Sequence, residues 1–134
     1  MPALTQLHGE RYLNLETFRK SGAGVRTPVW FAAAPAGATD AGTIYVYTMA
    51  GSGKAKRIRR HPAVKVAACG ARGTVTGPWI DARAEITGRD GFDRGMRLLN
   101  HKYRPWKQLL DLFSLLSPGH RRIMLAIREP TSPS

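Results

Sequence analysis

"TIYVYTMAGSGKAKRIRRHPAVKVAAC", residues 43–69, is the stretch on which the fold turns. It opens with β-branched and aromatic residues in strict alternation. Ile44, Val46 and Thr48 point one way, and Tyr45, Tyr47 and Met49 the other, which predicts a strand over 43–49. Ser52 then stands where a hydroxyl can cap a helix over about 53–60, and His61-Pro62 stops that helix. A second strand follows over 64–69. Five of the seven residues from Lys54 to Arg60 are Lys or Arg, so this strand–helix–strand unit is also the most basic part of the chain.

Working outward, "RYLNLETF" (11–18) reads as a strand, "SGAG" (21–24) as a turn and "VRTPVWFA" (25–32) as the returning strand. Pro28 belongs there only at an edge or a bulge, because it has no N–H to give a ladder. Residues 34–42 read as a hairpin loop. Downstream, 74–87 predicts a long strand in which Ile80, Ala82, Ala84 and Ile86 alternate with Asp81, Arg83 and Glu85, the pattern of a half-buried antiparallel strand. Asp90 then opens a helix with Phe92, Met96, Leu99 and Tyr103 at helical spacing. Pro105 opens a second helix carrying Trp106, Leu109, Leu110, Phe113 and Leu116, ended by "SPG" (117–119). Residues 121–127 form a last strand. The chain is expected to be one domain over 1–128 with a disordered tail over 129–134. The order β-β-β-α-β-β-α-α-β lacks regular βαβ alternation, so the expected fold is mainly β: a small antiparallel barrel with a short helix after its third strand and two helices near the C-terminus.

Composition narrows the function. The chain has 134 residues, and its single cysteine, Cys69, excludes an internal disulfide and suits a reducing cytoplasm. The N-terminus lacks the basic-then-apolar pattern of a signal peptide. The most apolar run, residues 29–38, is interrupted by Pro35 and too short to span a membrane. Lys plus Arg number 21 against 9 Asp plus Glu, a formal net charge of +12. That excess points to an anionic partner, or to a basic surface that serves solubility alone.

Motif tests exclude several chemistries. A Walker loop fails because Thr48 holds the first glycine's place and Ala55 follows Lys54; a dinucleotide fingerprint fails at Lys56. The four histidines are scattered without metal-ligand spacing, and Ser52 has no sequence-evident base. Cys69 reads as a core residue, and Asp81 and Glu85 as a polar outer face. What remains is the turn at Ser52-Gly53, where a helix start offers free N–H groups and the positive end of its dipole, with Lys54 beside it. The competing reading is a solvated basic helix face. Trp79, after the Gly77-Pro78 break, is either a core residue or a flat surface for a ring system.

The stretches "YLNLETF", "TPVWFA", "IYVYTMAGSGKAKRIRRHPAVKV", "GPWIDARAEI" and the later "HKY" together resemble the split β-barrel flavin and deazaflavin oxidoreductases related to pyridoxamine 5′-phosphate oxidase. The resemblance is nearest the actinobacterial branch that uses coenzyme F420, and it spans roughly residues 10–127. It implies that Tyr47, Thr48, Ser52, Gly53 and Lys54, joined by Arg59 or Arg60, meet the cofactor phosphate. It implies too that Thr27, Pro28 and Val29, with Trp79, border the ring. The pyridoxamine-phosphate oxidases carry an arginine and a lysine at the ends of the strand that here has Thr27 and Ala32, and their Arg-Gln-Val-Arg strand is replaced around "IDARAEI". Those departures favour F420 over FMN. The implied activity is hydride transfer between reduced F420 and a small unsaturated or carbonyl-containing substrate, in a homodimer with the cofactor at the interface. No catalytic residue is assigned, because a reduced deazaflavin carries the hydride itself. The basic helices after residue 94 are implied to meet its glutamate tail. The alternatives are a non-catalytic carrier of F420, FMN or haem, and a nucleic-acid-binding barrel favoured by charge and by Tyr45 and Tyr47.

Overall fold

The computed structural model describes Leu4, Leu7 and residues 9–103 and 122–130. Six strands and two helices occur among them: β1 (Tyr12–Phe18), β2 (Gly24–Ala33), β3 (Ile44–Met49), α1 (Gly53–Arg60), β4 (Ala63–Cys69), β5 (Ile80–Ile86), α2 (Arg89–Lys102) and β6 (Arg122–Arg128). All ladders are antiparallel and close a barrel in the order β1-β2-β3-β6-β5-β4, with β4 returning to β1. The second helix expected from Pro105 onward lies outside the described residues. Among the described residues no helix is long and apolar enough to cross a membrane.

Alternation decides which side chains fill the barrel. Leu13 and Leu15, Val29 and Phe31, Ile44 and Val46, Val64 and Val66, Ala82 and Ala84, and Leu125 and Ile127 point inward into one core. α1 seals one end by adding Ala55 and Ile58 to that core. The outward face of β2, β3 and β6 forms a second core in which α2 packs Leu99, and Tyr103 after it, over Ala32, Tyr45, Met124 and Ala126. The close approach needs Gly95, where a Cβ would sit 2.7 Å from Met124.

Two expectations need correction. The strand expected over 74–87 begins only at Ile80. Before it, Val75 makes an isolated bridge to Cys69 and the chain turns away at Gly77-Pro78, where proline has no N–H for a ladder. Asp90 does not cap α2: Gly88 is the cap residue, without a side-chain cap bond, and Asp90 lies in the first turn. A carboxylate there is still favourable, since it faces the positive end of the helix dipole.

α2 is tied to the barrel by polar contacts. Arg94 donates to both carboxylate oxygens of Asp40, at 2.9 and 3.1 Å, and Tyr45 donates its hydroxyl to the same carboxylate at 2.7 Å. Those donors hold the Asp40 carboxyl down at about 2, while burial and that carboxylate push the Tyr45 phenol up to about 12. The Tyr103 hydroxyl lies 2.6 Å from the Arg11 carbonyl and 2.8 Å from that of Phe31, and accepts from the Phe31 N–H at 3.2 Å. Lys102 beside it donates to the Glu10 carbonyl at 2.7 Å and sits 3.5 Å from the centre of the Phe31 ring. Burial pulls its ammonium down to about 8.

Candidate functional site

The site starts from a short ladder. β2 and β3 pair at only three positions, Phe31 with Val46, Ala32 with Tyr45 and Ala33 with Ile44. From Gly24 to Trp30, β2 has only β1 as a ladder partner, and from Tyr47 to Met49, β3 has only β6. The barrel is therefore split along two strand edges, with Thr27, Pro28 and Val29 on one and Tyr47 and Thr48 on the other. Pro28 is tolerated because its stretch of β2 is an edge on that side. Thr27 shares the inward-facing register of Val29 and Phe31, and its Oγ1 is out of water with no hydrogen-bond partner among the described residues. A buried hydroxyl without a partner costs free energy, so an orphan at the split is consistent with an acceptor or donor brought by a ligand.

At the end of β3 the chain enters the basic turn. Thr48 is inward and buried, and its hydroxyl lies 3.3 Å from that of Ser52. Ser52 caps α1 by accepting from the Ala55 N–H at 3.2 Å. The first turn of α1 contains no acidic residue. Lys54 is half-buried there, and burial together with the neighbouring Arg57 pulls its ammonium pKa down. Arg59 donates to the Ala50 carbonyl at 3.0 Å, which keeps it at the turn, whereas Arg60 is exposed at the far end of the helix. The ion pairs among the described residues join Arg26 to Glu16, Lys65 to Asp81, Arg94 to Asp40 and Arg128 to Glu85, so no cation of α1 takes part in one. A helix N-terminus with uncompensated cations around it can hold an anion.

Thr27, Pro28 and Val29 thus lie on the unpaired edge of β2, and Thr48, Ser52, Gly53, Lys54 and Arg59 at the end of the unpaired edge of β3 and in the turn and helix that follow it. Tyr47 and Trp79 stand apart from that group. Tyr47 faces outward, its ring 6.2 Å from that of Phe92 under α2. Trp79 is half-buried with the Arg26 guanidinium 4.5 Å above its ring, and Arg26 is itself held by Glu16 at 2.8 Å. One face of the indole is therefore already covered.

Sequence reasoning missed Arg57. This arginine donates through Nε to the fully buried Thr17 at 2.6 Å, and its guanidinium folds back against Gly53. The signal available was spacing: positions 53 and 57 are one helical turn apart. Two surface cavities lie elsewhere, about 390 Å³ between the 39–43 loop and Arg128, and about 200 Å³ between Phe18 and Arg83. Neither touches the basic turn, and in the larger one Asp40 is already neutralised by Arg94. No group of residues suited to hold a metal ion occurs among the described residues.

The split barrel is a fold shared with solved structures, among them a putative pyridoxamine 5′-phosphate oxidase of Listeria innocua, with a TM-score of 0.58 at 14% identity over 96% of this chain and 88% of that one. A conserved hypothetical protein of Mycobacterium tuberculosis superposes with a TM-score of 0.67 at 20% identity, over 96% of this chain and 78% of that one. A haem storage protein of Vibrio cholerae gives 0.63 at 14% identity, over 96% and 87%. An F420 reductase gives 0.56 at 17% identity, over 95% and 92%. At these identities the likeness is one of fold, and the same fold serves proteins of different chemistry. No family model matches the chain, and no curated protein does either.

Proposed function

We propose that this chain is an F420-dependent oxidoreductase acting on a small unsaturated or carbonyl-containing substrate. The observation that carries the reading is that the stretch of β3 left unpaired by β2 runs directly into the Ser52–Lys54 turn, whose cations form no ion pair among the described residues. A ring can lie along the unpaired strand edges while its phosphate meets the helix start. The residues present fit such a group: Thr27 supplies an unsatisfied hydroxyl, Lys54 and Arg59 supply charge, and the first turn of α1 supplies backbone donors.

Within that reading a reduced deazaflavin supplies the hydride when bound. The protein's part is to hold ring and substrate in register and to keep water out. Lys54, Ser52 and the backbone of α1 bind the phosphate, and Thr27 to Val29 orient the ring. F420 is favoured over FMN because Thr27 and Ala32 stand where the FMN-type relatives carry an arginine and a lysine, and Ala32 is buried beneath α2 beside Tyr45, Leu99 and Tyr103. The homodimer belongs to the same proposal, with Trp79 approaching the partner's cofactor. Against the nucleic-acid alternative, Tyr45 is buried and bonded to Asp40, so its ring is withheld from a base.

Titration of the purified protein with F420, FMN and haem, followed by fluorescence and absorbance, tests the cofactor. F420 is expected to bind at least about tenfold more tightly than FMN. FMN or haem copurifying in stoichiometric amount would reverse the assignment. Oxidation of reduced F420 by enone acceptors then separates an enzyme from a carrier.

A further inference from the structure

A second basic surface lies at the C-terminal end of α1 and on the outer face of β1, β4 and β5. Leu13, Leu15, Val64, Val66, Ala82 and Ala84 point into the core, so alternation turns Phe18, Ala63, Lys65 and Arg83 outward. Those four residues, with Pro130, line a surface hollow of about 200 Å³. The exposed His61 stands beside it, its ring 6.0 Å from that of the half-buried Phe18 and at 80° to it. Arg19 follows Phe18 in the chain and Arg60 precedes His61, and both are exposed. Burial first, and then Arg19 and Arg60, pull the guanidinium pKa of Arg57 down, so the two cations stand on the same side of α1.

The fold does not neutralise this charge. Among the described residues Arg19, Arg60 and Arg83 form no ion pair. Lys65 has Asp81 at 3.9 Å, with the two side chains 46% and 78% exposed, a separation and exposure at which attraction is weak. Arg83 is directly opposite Arg128 in the β5–β6 ladder, and Glu85 is bonded to Arg128. Like charges across a ladder destabilise a sheet, and an arriving anion relieves that repulsion.

We propose that this face binds single-stranded nucleic acid, one base entering the hollow against Phe18 while flanking phosphates meet Arg19, Arg60 and Arg83. A flat ring with a negative charge on either side matches an aromatic hollow flanked by cations. A membrane surface matches it less well. Docking there needs apolar side chains that insert, and the one large exposed hydrophobic among the described residues is Val75, outside this face. An acidic protein would anchor on a broad desolvated apolar centre, whereas here one ring stands amid charges. Stacking does not read base identity, so the binding is sequence-tolerant. Tyr45 and Tyr47 take no part, because α2 packs over them. The inference does not rest on the cofactor reading, whose turn lies at the other end of α1.

The test is the fluorescence anisotropy of a labelled oligodeoxythymidine of about 12 nucleotides, titrated with the full chain at several salt concentrations. Three phosphate contacts predict that log affinity falls against log salt with a slope of about −2. Arg19→Gln, Arg60→Gln and Arg83→Gln should each make that slope shallower by about 0.7. Arg72→Gln, the same loss of charge at an exposed position in the turn after β4, should leave it unchanged. Phe18→Leu should weaken binding at least about fivefold with the slope intact, and Phe18→Tyr should restore it.

Equal slope changes in Arg72→Gln and Arg60→Gln would reduce the effect to general basicity and overturn the proposal. So would wild-type affinity in Phe18→Leu, or equal competition by polyglutamate or by phosphatidylserine vesicles at matched charge. Displacement of the oligonucleotide by F420 or FMN would merge this face with the cofactor turn and overturn it too. If the oligonucleotide binds in the expected pattern and no ring cofactor binds, this inference stands and only the cofactor reading is refuted.

Discussion

Thr27→Val is expected to move stability and affinity in opposite directions. The Thr27 hydroxyl is out of water at the split and has no hydrogen-bond partner among the described residues. Valine keeps the shape and the β-branching that suits a strand, and replaces the hydroxyl with a methyl group. An unsatisfied buried polar group costs about 1–3 kcal/mol, and the extra methyl adds a little favourable burial. Discounting for the half-burial of the residue as a whole, we take about 1 kcal/mol as the gain in the apo-protein. For a domain of this size that corresponds to a rise of about 4 °C in melting temperature. With cofactor bound the hydroxyl has a partner, and its loss should weaken binding by about 1–1.5 kcal/mol, roughly tenfold. Differential scanning fluorimetry of the apo-protein and a fluorescence titration with F420 read the two effects. A variant that is less stable without cofactor and binds it equally well would show that the hydroxyl has an internal partner and no ligand. That result would refute the reasoning.

Lys54→Ala should weaken cofactor binding by about 1.5–3 kcal/mol, Arg59→Ala by an intermediate amount, and Lys56→Ala and the exposed Arg60→Ala by less, as read by the same titration. The apo melting temperature of Lys54→Ala should stay level or rise slightly, because burial and Arg57 already disfavour the ammonium. Folding lowers the Asp40 pKa to about 2, so the stability it contributes is fully present above the ordinary carboxylate range and is lost as pH falls from about 4 toward 2. The Asp40 and Arg94 side chains are 20% and 30% exposed, which reduces the full shift to about 1–2 kcal/mol. Asp40→Asn should flatten that part of the acid-unfolding curve followed by circular dichroism. Tyr103→Phe should cost about 2 kcal/mol in urea unfolding, because the buried N–H of Phe31 loses its acceptor and the Arg11 and Phe31 carbonyls lose the one hydroxyl proton within their reach.

Much of this molecule was decided locally and could be read from the chain. The alternation from Ile44 to Thr48 carries its own facing, because a strand's period of two sends every second residue into the core. Ser52 caps α1 and His61-Pro62 ends it through bonds that reach no further than one turn. The same locality placed Lys54 and Ser52 at the turn. What only the tertiary structure decided depends on pairings between distant residues. No local signal says that the β2–β3 ladder stops after Phe31 and Val46, since that follows from how six twisted strands close on one another. No periodicity separates the outward Tyr47 from the inward Thr48 as ligand contacts until α2 covers one face of β3. Arg57 reads in the chain as one more cation on a basic helix. It becomes an arm over Gly53 because β1 brings Thr17, forty residues away, to within 2.6 Å of it.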